Sequence, residues 1–265
     1  KFGMIGSTDA HTARASAEED NFHGKMARDS TPATRSEDIL PGTPGWDMGA
    51  AGLVAVYAEK NTREALFDGL KRKEVYATTG PRISMRFFGG WDYAATDVES
   101  SDMVNKGYAK GVPMGGDLSN APAGKAPAFM ISAMKDPVGA NLDRVQVIKG
   151  WVDEKGEPQE KIFDVALSDD RMVNPDGSVS PVGNTVNLAT GSYTNSIGDS
   201  HLSVVWSDPE FDAGVRAFYY VRVIQIPTPR HTLLDTIALG IAPEQSGNPA
   251  TIQERAYSSP IWYTP

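Results

Sequence analysis

From about residue 81 onward, apolar and polar positions alternate with a period of two. Ile83, Met85 and Phe87 interleave with Arg82, Ser84 and Arg86, the pattern of a strand with one buried face. The same spacing predicts strands around Phe129 and Ile131, over 142–151, at Phe163, Val165 and Leu167, and over 201–206, 217–226 and 260–263. Asp153-Glu154-Lys155-Gly156 reads as a hairpin turn between two of them. Short strands separated by Gly, Pro, Asn and Asp clusters predict an antiparallel β-sandwich over residues 81–265, with 111–126, rich in Gly, Pro and Ala, as an exposed connection.

Residues 1–80 carry a different pattern. An apolar run over 2–7 predicts a strand opening into Thr8-Asp9-Ala10-His11, and a long polar loop follows. Residues 52–58 form a continuous apolar run, expected for a strand buried on both faces. Asn61 with Glu64 three residues later gives a capping-box start, and Ala65, Leu66, Phe67 and Leu70 supply a stripe at helical spacing. Lys71, Arg72 and Lys73 complement the negative end of that helix. Strand, helix, then Val75-Tyr76-Ala77 predicts the last units of a βα-repeat fold. The expected fold class is therefore α/β plus all-β: terminal βα units over 1–80, then the sandwich.

Composition narrows the function. A chain of 265 residues with 40% hydrophobic and 22% charged positions is an ordinary folded protein, and 26 Gly with 18 Pro agree with many turns. A net charge of −9 repels a phosphate backbone, and on charge alone this argues against a nucleic-acid partner. With no cysteine, any metal must rest on His, Asp and Glu. No stretch approaches the roughly 20 consecutive apolar residues of a membrane span. Localisation stays open, with export or a periplasmic location compatible with an acidic, cysteine-free chain.

Asp9-Ala10-His11 is the strongest candidate for chemistry. In an extended segment residues i and i+2 project to the same side, so a carboxylate and an imidazole leave together, as one face of a divalent-metal site requires. The alternative is a His bonded to a loop carbonyl beside a capping Asp. In the loop that follows, His23 could exchange protons near neutrality as a catalytic residue, while Lys25 and Arg28, with Arg35 nearby, could pair with an anionic substrate; a solvated mixed-charge loop is the other reading. Glu18, Glu19 and Asp20 read equally as an acidic helix start. No Gly-x-Ser-x-Gly elbow and no phosphate-binding Gly-rich loop occurs. The five tryptophans could stack on sugars or fill a sandwich core.

Gly3-Met4-Ile5-Gly6-Ser7-Thr8-Asp9-Ala10-His11 resembles the last metal-binding motif of the PHP (polymerase and histidinol phosphatase) superfamily of metal-dependent phosphoesterases. The stretches Glu18-Glu19-Asp20-Asn21-Phe22, Asn61-Thr62-Arg63-Glu64-Ala65, Tyr76-Ala77-Thr78-Thr79-Gly80-Pro81, Ile226-Pro227-Thr228-Pro229-Arg230 and Ser258-Ser259-Pro260-Ile261-Trp262-Tyr263 resemble, in order, an uncharacterised bacterial domain-of-unknown-function family related to PHP proteins. The resemblance implies a distorted βα barrel with metals at its mouth, Asp9 and His11 as ligands, and zinc, manganese or iron as the ion. It implies hydrolysis of a phosphoester or related ester by the parent protein. Two ligands cannot fill a site, so the others are expected upstream of Lys1, and this chain alone is expected to be inactive. A non-catalytic sandwich module that binds a ligand or shields the barrel is the alternative. A cut barrel also leaves apolar surface at 52–58 and the following helix; the expectation is cover by an N-terminal segment or a second copy, or disorder between Thr12 and Gly49.

Overall fold

The computed structural model describes residues 1–14, 16–49 and 52–265. Its framework is two sheets facing one another across a common core. The larger runs Pro158–Leu167, Leu142–Val152, Ala217–Gln225, Arg255–Ser258, Val75–Thr78 and Leu53–Val56, with Ile261–Thr264 pairing the other half of Ala217–Gln225. The smaller runs His201–Ser207, Ala128–Met134, Ser84–Gly90 and Gly111–Pro113. Period-two patterning explains the layering: Ala217, Tyr219, Val221 and Val223 are buried while Phe218, Tyr220 and Arg222 between them are half-exposed. The inward set meets Met85, Phe87, Phe129 and Ile131 of the smaller sheet. The hairpin at 153–156 forms where expected, closed by Gly156 N donating to Asp153 O at 3.0 Å with Gly156 at φ +83.

The βα-repeat expectation for residues 1–80 does not hold among the described residues. Leu53–Val56 and Val75–Thr78 pair antiparallel, with Leu53 opposite Thr78 and Val56 opposite Val75, whereas βα repeats place successive strands parallel. Val75–Thr78 then continues the large sheet by pairing Thr78 with Ala256, so that sheet passes residue 80 unbroken. The helix Arg63–Lys71 is part of a return to the same end of the sheet rather than a crossover. Nor is the 53–56 strand buried on both faces: it is the edge of its sheet, and Val54 is exposed.

Local details differ as well. Thr62, not Asn61, caps the helix, its hydroxyl accepting from Ala65 N at 3.3 Å. The buried contact of that helix is Gly69, where a Cβ would stand 2.7 Å from Tyr57 O, while Phe67 and Leu70 of the apolar stripe are exposed. The strand expected over residues 2–7 does not form; Met4 N donates to Ser259 Oγ at 3.0 Å and Gly52 N to Ser7 O at 3.0 Å. The 111–126 connection holds two short strands, Gly111–Pro113 and Asp117–Ser119, and buries Met114 and Leu118.

The polar loop is a folded lobe rather than a solvated or disordered strap. Phe22, Ile39 and Trp46 are buried in it, and it docks on the helix His231–Leu239. Arg35 is buried and donates to both Asp235 oxygens, at 2.7 and 2.6 Å, and Trp46 Nε1 donates to Asp235 at 3.0 Å. Glu19 accepts from His231 N at 2.6 Å and lies 2.9 Å from its Nδ1. Arg230 adds donors to Trp46 O and Met48 O. Within this charge-rich lobe the two buried charged residues, Asp29 and Arg35, are both hydrogen-bonded, while Asp20 and Arg28 remain exposed.

Candidate functional site

Asp9 and His11 sit where the N-terminal segment meets this lobe. Asp9 adopts φ +50, a left-handed conformation that Asp tolerates better than most residues and that marks local strain. His11 Nδ1 lies 2.9 Å from Asp9 O, and His11 N donates to Lys25 O at 2.8 Å. With Nδ1 occupied by a backbone carbonyl, the outer Nε2 is the nitrogen left to accept, the tautomer that a metal-binding imidazole needs. The loop-carbonyl alternative and the ligand reading are therefore compatible.

Lys25 closes the other side. Its ammonium pairs with the Asp9 carboxylate, and this hydrogen bond and charge hold Asp9 below the ordinary carboxylate range. Lys25 is itself fixed by its backbone: Lys25 N and Met26 N donate to Asp29, which is wholly buried, at 2.9 and 2.7 Å. A cleft of about 210 Å³ opens here, lined among others by Thr8, Asp9, Ser16, Phe22, Lys25 and Met48. His11, His23 and Arg28 are not among its lining residues: His11 is exposed, His23 is partly exposed with Nε2 3.1 Å from Asn21 Oδ1, and Arg28 is exposed. Of the five residues singled out from sequence, the fold brings together Asp9, His11 and Lys25. Among the described residues no three His, Asp or Glu side chains converge to hold a metal ion. Asp9 and His11 are two donors of a kind that divalent ions take, and in this arrangement the Asp9 carboxylate is paired with Lys25.

The comparisons with known proteins fit a chain whose chemistry must be argued from its own residues. The family model for a "Protein of unknown function (DUF3604)" matches residues 1–265. The chain belongs to the DUF3604 family. No curated protein and no solved structure matches the DUF3604 chain.

Sequence reasoning missed a second group of residues in this DUF3604 chain. Glu254 is 3% exposed, accepts from the Thr79 hydroxyl, and is pushed up to about 7, chiefly by burial with the nearby charge of Glu19 adding. His231 is buried with Nε2 lacking a partner among the described residues. Nothing in the local pattern of Thr251-Ile252-Gln253-Glu254-Arg255 marks the Glu as buried, because its cover comes from residues 79 and 19.

Proposed function

We propose that this chain is the C-terminal portion of a metal-dependent hydrolase, a phosphoesterase related to the PHP proteins, in which Asp9 and His11 supply part of a divalent-metal site. The observation that carries the reading is the His11 Nδ1 contact with Asp9 O, which leaves Nε2 of an exposed ring as the nitrogen able to accept, two residues from the ionised Asp9. Further ligands come from residues outside this sequence. A divalent ion held there supplies Lewis-acid stabilisation of charge developing on the substrate. Lys25 gives the cleft a positive group next to Asp9, suited to orienting an anionic phosphoester. The open sheet edge at Leu53–Val56 and the exposed Phe67 and Leu70 offer apolar surface for the remainder of the protein or a second copy to cover.

Metal analysis of the full-length protein, with a generic phosphodiester assay and Asp9→Ala and His11→Ala variants, tests this. Bound zinc, manganese or iron together with turnover, both lost in the two variants, supports it; a metal-free protein indifferent to both substitutions overturns it. The alternative of a binding module draws on one observation: Trp151, Phe218 and Trp262 border an open groove of about 860 Å³ on the large sheet, and Trp262 Nε1 is buried without a partner among the described residues.

A further inference from the structure

A second cavity, of about 240 Å³, lies on the other side of the lobe, between the Glu19–Asn21 turn, the 136–140 turn, the end of Ala217–Gln225 and Glu254. Among the described residues five carboxylates line it and no Lys or Arg does. Three of the five are spent. Glu18 faces Arg82 at 3.8 Å, Glu19 takes His231, and Asp136 accepts from Arg82 N at 2.7 Å and Val138 N at 3.0 Å. Asp20 is at the exposed rim.

Two side chains in the wall are almost wholly buried and still unfinished. Glu254, 3% exposed, uses one oxygen on Thr79, and its other oxygen has no partner among the described residues. Gln225, 1% exposed, donates its amide to Ala140 O at 3.3 Å, and its side-chain oxygen accepts nothing there. Neither oxygen is among the sealed, partnerless atoms, which are Arg144 Nε, His231 Nε2 and Trp262 Nε1, so both retain surface, and the cavity is the open space that both residues border. An unmatched acceptor at such depth is costly unless something supplies the donor. Pro81, Val138 and Leu234 give the same cavity an apolar side.

The occupant must therefore bring positive charge, N–H or O–H donors and a short hydrocarbon stem. A bare metal ion does not fit, since no three acidic or His side chains among the described residues converge on one point. We propose that this cavity binds a small organic ammonium group, its N–H donors meeting Glu254 and Gln225 and its stem lying along Pro81, Val138 and Leu234. The site is independent of Asp9 and His11. The state of Glu254 agrees with it: a buried carboxyl raised to about 7, faced by Thr79, Glu19 and Arg255, ionises fully when a cation arrives.

Isothermal titration of the full chain at pH 7.5 with n-butylammonium, and with n-butanol as the neutral probe of matching shape, tests the proposal. The expected result is saturable one-to-one binding of the ammonium, none of the alcohol, and at least tenfold weaker binding in Glu254→Gln; Gln225→Leu gives a second variant should the first not fold. A parallel titration with Nα-acetyl-lysine methylamide separates the sources: tighter binding than n-butylammonium identifies a lysine side chain of a peptide, weaker binding a free amine. No saturable binding of either ammonium, equal binding of the alcohol, or affinity unchanged in both variants overturns the proposal.

Discussion

Glu254 gives the sharpest quantitative prediction, because the same burial that would serve a ligand must cost stability. Its carboxyl is 3% exposed and raised from the ordinary 4.5 to about 7, by burial first, with Glu19 adding and the Thr79 hydroxyl and Arg255 opposing. Below pH 4.5 the group is protonated whether the chain is folded or unfolded and contributes nothing to the pH dependence. Between 4.5 and about 7 the unfolded chain has released the proton that the folded chain still holds, so stability falls as pH rises. At about 1.36 kcal/mol per pH unit the full penalty, reached above pH 7, is about 3 kcal/mol. Glu254→Gln keeps an oxygen for the Thr79 hydroxyl and removes the ionisation. Urea unfolding of wild type and variant at pH 4, 5.5, 7 and 8.5 should show near-equal stability at pH 4 and an advantage to the variant that grows to about 3 kcal/mol at the alkaline end. A difference that does not change with pH, or a variant less stable at pH 8.5, refutes the reasoning.

Three further outcomes follow from the packing. Asp235→Ala strands the buried Arg35 guanidinium and the Trp46 indole, and should cost about 3–5 kcal/mol in denaturant unfolding, with the 16–49 lobe becoming protease-sensitive; a loss below about 1 kcal/mol would show that the lobe docks by other means. Gly69→Ala places a Cβ 2.7 Å from Tyr57 O and from Val56 Cγ1, so the helix must shift and thermal stability should fall by about 1–3 kcal/mol, an unchanged melting temperature counting against the packing described. His231→Leu removes the ring contact to Glu19 while the backbone N–H at 231 still donates to it, and should speed amide exchange at Lys25 and His11, whose N–H groups depend on the lobe's fold; protection equal to wild type would separate the two regions.

What the sequence made legible was what is local. Alternation over Ala217–Gln225 and Ser84–Gly90 marks strands because each residue's face is set by its neighbours two positions away. The partner of a four-residue strand is not local. Leu53–Val56 and Val75–Thr78 flank a helix, as parallel strands of a βα unit do, and only their pairing and that with Arg255–Ser258 shows the antiparallel sheet. The charged loop was misleading for the same reason. Arg35 finds Asp235 200 positions on, and no pattern around either residue shows that both are buried. At the site, the i, i+2 argument assumes an extended segment, whereas Asp9 takes φ +50 and His11 Nδ1 meets the Asp9 carbonyl; Lys25 joins them through an ion pair and a backbone bond that spacing cannot show.

The lobe contributes lining to two cavities, one holding the Asp9–Lys25 pair and one lined by carboxylates. Ser16, Phe22, Gly24 and Lys25 face the cleft of Asp9, while Glu18, Glu19 and Asp20 between them face the acidic cavity of Glu254. His231 is the point behind both: its ring packs against Phe22 at 4.5 Å and its N–H groups take Glu19. A cation entering the acidic cavity draws on carboxylates next to that His, and a change in the Glu19 contact has a short packed path through Phe22 to the segment that holds Lys25 against Asp9. Cleft and cavity so placed are coupled only if the lobe has two arrangements that the ligand distinguishes, since a ligand that binds both equally shifts nothing. The buried Arg35–Asp235 pair opposes such movement within the 16–25 stretch itself, because Arg35 Nη1 also donates to Phe22 O at 3.1 Å, so a second arrangement that shifts Phe22 has to break that bond.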